Sequence, residues 1–173
     1  MICSFAKPMP KHSIVGHLAD TSQALSIARL ALQHVNRHRQ ISPWATEAGG
    51  QLFGTLNAAQ VCVTEASGPY AGDERSRYRY RSSSAAAQRA IEDRHNRGLL
   101  YLGEWHTHAE DYPSASGLDD DAMRRLIASS QLNSNALLMM IVGRARSAAG
   151  LAVWSVSREA VRRWILSANL QET

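Results

Sequence analysis

Two histidines, a serine and an aspartate stand in this sequence at spacings that suit hydrolytic metal chemistry. His106-Thr107-His108 is followed after seven residues by Ser116, and after two more by Asp119. Two neutral imidazoles and one carboxylate form three ligands suited to zinc, leaving a fourth position for water. An open site of this kind makes hydroxide near neutral pH, a nucleophile able to attack an amide bond. The proton released must be accepted and later delivered to the leaving amine. A carboxylate that is not itself a ligand suits that role, and Glu47, close to Gly49-Gly50, is the candidate. Ser116 carries a hydroxyl that can donate to the developing oxyanion. Its structural alternative is to cap the helix that follows.

These side chains need particular elements beneath them. Residues 99–105 (LLYLGEW) read as a core strand that delivers His106 and His108 at its end. Side chains alternate along a strand, so the i, i+2 spacing puts both imidazoles on one face. Asp119-Asp120-Asp121 open a helix predicted to run to about Ser130, where the positive end of the helix dipole favours ionised carboxylates. Asp120 and Asp121 stand beside Asp119 as alternative carboxylates. Residues 47–54 carry glycines inside an apolar run, the mark of a strand closely approached by another backbone or a ligand. Residues 60–65 alternate and are predicted to pair with it as a hairpin.

The remaining segments complete an α/β pattern. Asp20-Thr21-Ser22 offer cap oxygens before an amphipathic stretch at 23–39, predicted as a helix from Leu25, Ala28, Leu32 and Val35. Residues 73–84 are predicted as a charged strand at the sheet edge. Residues 85–97 form an alanine-rich helix closed by Gly98. Residues 136–142 (ALLMMIV) and 151–156 are two further strands. Residues 159–170 are predicted as a terminal helix, although Val161, Trp164 and Ile165 also fit extended chain. Residues 1–19 are expected to be an irregular N-terminal extension, and no linker or repeat divides the 173-residue chain, which is read as one domain.

Composition excludes several classes. The chain is 45% hydrophobic and 20% charged, ordinary for a soluble globular protein. No apolar run approaches the roughly 18 residues that span a bilayer, so no membrane role is expected. The N-terminus lacks the apolar segment of a secretory signal. The two cysteines, Cys3 and Cys62, have no ligand-type spacing, which points to a reducing cytoplasm and away from a disulfide framework.

Arginine far outnumbers lysine, and the net charge is +4. Arg75, Arg77, Arg79 and Arg81 interleave with Tyr78 and Tyr80. Basic residues between aromatic platforms are one way to bind nucleic acid, but no nucleic-acid motif accompanies them. A solvent-facing strand that meets a protein partner is the favoured reading, with Arg77 and Arg79 as candidates for docking an extended substrate tail. His34 and His38 lie four residues apart without an acidic partner, and a solvated basic face accounts for them.

Glu47, His106-Thr107-His108, Ser116 and Asp119 together resemble the signature of the JAMM (JAB1/MPN/Mov34) metalloprotease family, complete in residue types and spacing. The 47–54 strand (EAGGQLFG) is similar to the family as well, and the resemblance covers about residues 33–156. It implies one JAB/MPN-like domain with a curved mixed β-sheet flanked by helices, in a cytidine-deaminase-like layout. It also implies one zinc ion held by His106, His108 and Asp119, with Glu47 as general base and Ser116 as oxyanion stabiliser. The implied activity is peptide or isopeptide hydrolysis after the C-terminal glycine of ubiquitin-like proteins.

Residues 101–119 (YLGEWHTHAEDYPSASGLD) are further similar to bacterial JAB proteins of integrative elements and type II CBASS anti-phage operons. That similarity implies a ubiquitin-like conjugate or the modified C-terminus of a nucleotidyltransferase as partner, with activating and conjugating enzymes nearby. Family members often have proline after the second histidine; Ala109 stands there instead. Three other roles are compatible with the fold that the resemblance implies. They are a catalytically silent scaffold, a JAB-domain protein in DNA repair, and a peptidase for sulfur-carrier proteins. Silent relatives lose ligands, and this chain keeps them all.

Overall fold

The computed structural model describes residues 13–130 and 134–169. Nine strands form one mixed sheet in the order β10-β9-β8-β7-β3-β4-β2-β1-β11. In chain order these are β1 (Ser13–His17), β2 (Ala24–Ile27), β3 (Gly49–Leu56), β4 (Gln60–Ala66), β7 (Leu100–Thr107), β8 (Ala136–Val142), β9 (Leu151–Ser157), β10 (Val161–Arg163) and β11 (Ile165–Asn169). A separate two-stranded hairpin holds β5 (Glu74–Ser76) and β6 (Arg79–Arg81). Three α-helices accompany them: α1 (Arg29–Asn36), α2 (Ser84–Asn96) and α3 (Gly117–Ser129).

The β2–β4 and β7–β8 pairs are parallel, and the other neighbours in the sheet are antiparallel. The edge strands β10 and β11 are separated in the chain by Trp164 alone. One residue cannot cross a flat nine-stranded sheet, so the sheet curls until its two edges nearly meet. Trp164 sits at that seam, 2% exposed, with its backbone N–H on the Val153 carbonyl at 2.9 Å and its indole N–H on Ser155 Oγ at 2.9 Å.

Strand β8 is apolar throughout because both of its faces are covered. Leu138, Met140 and Val142 join the core that also holds Trp105, Leu52 and Val35 of α1. Leu137, Met139 and Ile141 face the opposite way and meet Met123 and Ile127 of α3. The sheet is therefore sandwiched, with α1 on one face and α3 on the other. This arrangement matters for the chemistry, since it seats the start of α3 over the end of β7.

Four expectations are corrected. Residues 24–27 are not helical; they form β2, whose Leu25, Ser26 and Ile27 are all buried between β1 and β4, and the helix begins only at Arg29. Burial in the middle of a sheet overrode a locally helical spacing. Residues 159–170 are likewise extended through 169, as β10 against β9 and β11 against β1. Ser13–His17 is a strand and not irregular chain, while residues 1–12, with Cys3, lie outside the described ones. Finally, the 73–84 segment does not add to the main sheet. Its two strands pair only with each other, and a backbone bond from Glu47 N–H to the Ser76 carbonyl at 2.7 Å attaches them. Among the described residues no helix is long and apolar enough to cross a membrane.

Candidate metal centre and active site

The end of β7 presents His106 and His108 toward α3, while Trp105 and Thr107 are buried in the opposite direction. The helix begins with a capping box. Ser116 Oγ accepts from the Asp119 N–H at 3.2 Å, and the Asp119 carboxylate accepts from the Ser116 N–H at 2.8 Å. A reciprocal cap of this kind fixes the first turn and with it the carboxylate. The Ser116 hydroxyl also donates to Asp119 Oδ2 at 2.8 Å. The capping role weighed for Ser116 is thus realised, and it works on Asp119 directly.

Three ligand atoms converge as a result. His106 Nε2 lies 3.1 Å from His108 Nε2 and 3.2 Å from Asp119 Oδ1, and His108 Nε2 lies 3.6 Å from Asp119 Oδ2. Ligands placed tetrahedrally about 2.0–2.1 Å from one ion stand about 3.3 Å apart. The spacing matches, and His106, His108 and Asp119 form a group able to hold a metal ion. Asp120 and Asp121 are not part of it.

The protonation states fit as well. Burial and then the neighbouring His106 push His108 below its ordinary value, so it is neutral at pH 7, as a ligand must be. Burial works to raise Asp119, but the hydrogen bond and charge of His106, with the Ser116 amide and hydroxyl, hold its carboxyl well below the usual carboxylate range.

Glu47 stands just before β3, whose Gly49 pairs with His106. It is 8% exposed. Burial is the main influence on it, and it raises the carboxyl to about 7, with His106 lowering it and Asp119 raising it. A carboxyl poised near neutrality and coupled electrically to the ligand group is what an acid/base needs. Its backbone is held on both sides by the arginine hairpin, through the Ser76 carbonyl and through Arg75 Nε, which donates to the Glu47 carbonyl at 2.6 Å.

The glycines of β3 serve close packing. A Cβ on Gly50 would overlap the Ser67 carbonyl, and one on Gly49 would overlap the Tyr80 ring. The chain leaving β4 and the hairpin thus lie directly on β3.

Comparison with known proteins completes this picture. The family model described as prokaryotic homologs of the JAB domain matches residues 26–164. The chain belongs to this prokaryotic JAB family. Three relatives bear the name CD-NTase/cGAS isopeptidase, one of them 32% identical and from Escherichia coli, over 65% of this chain and 72% of its own length. A second, from Pseudomonas aeruginosa, is 33% identical over 72% of this chain and 80% of its own length. The third, from Vibrio cholerae, is 36% identical over 62% of this chain and 68% of its own length. The solution structure of protein DSY2949 from Desulfitobacterium hafniense is similar in fold, with a TM-score of 0.58 and 19% identity, over 79% of this chain and 87% of the other. On these similarities the protein is a JAB-type hydrolase of the deconjugating kind.

The other candidates of the sequence lie elsewhere on the JAB scaffold. Arg77 and Arg79 flank the tip of the hairpin. Arg79 is exposed, whereas Arg77 is partly buried with its Nε on the Tyr78 hydroxyl at 3.0 Å. His34 and His38 are not a solvated face: both pack against Trp105, at centroid distances of 5.8 Å, and His34 Nε2 meets the Gly68 carbonyl at 2.6 Å. Cys62 is a half-buried free cysteine on β4. Two residues escaped the sequence reading. Gln40, 1% exposed, follows α1 in a stretch with no periodicity to mark it. Glu104 carries only a strand signal in the sequence, yet it sits in a polar network with Tyr101 and Gln51.

Proposed function

We propose that the protein is a zinc-dependent isopeptidase that hydrolyses the bond after the C-terminal glycine of a ubiquitin-like modification. Its target in this reading is a nucleotidyltransferase conjugated by a bacterial activating and conjugating machinery, and its setting is anti-phage defence in the cytoplasm. The whole chain acts as one JAB domain. The observation that carries the reading is the convergence of His106, His108 and Asp119 beside a carboxyl raised to about 7. The names of its relatives support the target.

His106, His108 and Asp119 would hold the ion. When bound, zinc polarises a carbonyl and makes water acidic enough to react near neutral pH. Glu47, ionised, takes a proton from the attacking water and returns it to the departing amine. Ser116 Oγ donates to the oxygen that becomes negative as the carbonyl is attacked, exchanging its bond to Asp119 for one to substrate. Asp119, still held by the Ser116 amide, keeps its place throughout. The β5–β6 hairpin offers main-chain groups and the side chains of Arg77 and Arg79 to an extended tail, whose backbone it binds regardless of sequence.

Metal analysis combined with cleavage of a glycine-terminated fusion tests this reading. Wild type is expected to bind one zinc per chain and cleave; Glu47→Ala is expected to bind zinc and fail to cleave. Equal cleavage by both proteins, each fully loaded, sinks the mechanism. Expression of Glu47→Ala in a host with the conjugating enzymes is expected to trap the covalent conjugate for identification.

A further inference from the structure

Gln40 is buried at the meeting point of three segments that the chemistry needs. Its Nε2 donates to the Arg77 carbonyl at 2.9 Å and to the Ala45 carbonyl at 3.1 Å. Its Oε1 accepts from Thr107 Oγ1 at 3.3 Å, and that same hydroxyl accepts from the Ala48 N–H at 2.9 Å. Thr107, fully buried, lies between His106 and His108, and its own N–H donates to the Ala48 carbonyl at 2.8 Å. Ala45 and Ala48 bracket Glu47, while Arg77 follows Ser76, the acceptor of the Glu47 N–H.

The carboxamide is suited to this place by its chemistry. It supplies two N–H donors and one acceptor at the end of a flexible stem; a carboxylate lacks the donors, and lysine or arginine lacks the acceptor. With all three of these bonds made, the group is satisfied inside the protein, where an unmade bond is costly.

We propose that Gln40 is the positioning residue of this site. Through Thr107 it sets Glu47 against the two histidines, and through the Arg77 carbonyl it latches the β5–β6 hairpin to the same point. The first half rests on the hydrolytic reading given above; the latch does not.

The test uses Gln40→Leu, which keeps volume without adding charge, alongside Thr107→Val and Thr107→Ser. A misplacement of about an ångström at a catalytic group costs up to about a hundredfold. Gln40→Leu is expected to lower kcat about tenfold or more and to raise KM for a protein fusion several-fold, because both arms are cut. Thr107→Val is expected to lower kcat with KM nearly constant, and Thr107→Ser to restore wild-type kinetics. Backbone hydrogen exchange in 74–81 is expected to rise about tenfold in Gln40→Leu and to stay unchanged in 161–163.

Wild-type kcat and KM in Gln40→Leu, or losses that only follow the folded fraction, overturn the positioning role. Unchanged exchange in the hairpin overturns the latch. If exchange rises while wild type itself cleaves nothing, the latch stands and the hydrolytic reading falls.

Discussion

Ser116 and Asp119 hold each other through three hydrogen bonds that involve a side chain, two of them to Asp119 Oδ2 from the serine amide and hydroxyl at 2.8 Å. One residue thereby both starts α3 and orients a candidate ligand, adding to the larger effect of His106 that holds its carboxyl low. Ser116→Ala removes the hydroxyl from both tasks. It is expected to cost about 1 kcal/mol of stability, the usual loss of a serine cap. Zinc affinity, measured by competition with a chelator, is expected to fall about tenfold, within the range for losing a group that orients a ligand. A melt and a titration that both match wild type would show the hydroxyl to be idle.

Glu47 governs the pH dependence expected of cleavage. As a base it must be ionised, and its carboxyl is raised to about 7 by burial. The ionised fraction therefore grows as pH rises through neutrality, and kcat/KM is expected to climb with it. A bound cation beside it stabilises the carboxylate, which moves this ascending limb to lower pH and not higher. Glu47→Gln is expected to reduce turnover by about 10²–10⁴-fold while zinc still binds. A pH profile of wild type against the residual activity of the variant checks this; an unchanged ascending limb in Glu47→Gln assigns it to another group.

The ligand group was legible because its geometry is local. Alternation along a strand puts residues i and i+2 together, and a serine three residues before an aspartate is a cap wherever a helix follows. The unbroken apolar run of β8 likewise reads directly as a strand covered on both faces. What could not be read depends on distant pairing. Leu25 and Ile27 fit a helix as well as a strand, and only burial between β1 and β4 decides. Ser13 meets Asn169 across the whole chain, a contact that no window reveals. The hairpin reads as an alternating arginine strand, but its separation from the main sheet depends on which strands pair: β5 and β6 bond each other, and both edges of β3 are taken by β4 and β7. Gln40 carries no signal at all until its three partners are assembled.

The arginines of the hairpin are expected to act on binding. Neither Arg77 nor Arg79 is among the ligand group, and Arg79 is exposed. Arg77→Glu combined with Arg79→Glu is expected to raise KM for a protein substrate about tenfold and to leave kcat within a factor of about two. Because Arg79 is exposed, added salt screens its attraction for a charged group on the tail. The wild-type KM is expected to rise with ionic strength and that of the variant to stay flat. Steady-state kinetics at two salt concentrations decide, and a parallel salt response in both proteins counts against docking at these residues.

Glu104 gives the fold a pH dependence of its own. It faces Gln51 across the β3–β7 pair, accepts from Gln51 Nε2 at 2.9 Å, and accepts also from the Tyr101 hydroxyl. Burial raises its carboxyl to about 7 in spite of these two hydrogen bonds, which oppose the rise, and Asp73 adds to it. The unfolded chain releases the same proton near the ordinary value of about 4.3. Between these two values the folded state binds more protons than the unfolded state, so stability falls as pH rises through the window. Across the whole window the loss amounts to about 4 kcal/mol at most, at about 1.4 kcal/mol per unit of pKa. Glu47, raised in the same direction, contributes a slope of the same sign, so the diagnostic quantity is the difference between wild type and variant. Glu104→Gln cannot ionise and is expected to lose the Glu104 share of the slope, whatever its absolute stability after one donor is turned toward Gln51. Denaturant unfolding at pH 5 and pH 8 measures it, and identical slopes for the two proteins would place the Glu104 carboxylate in a solvated setting.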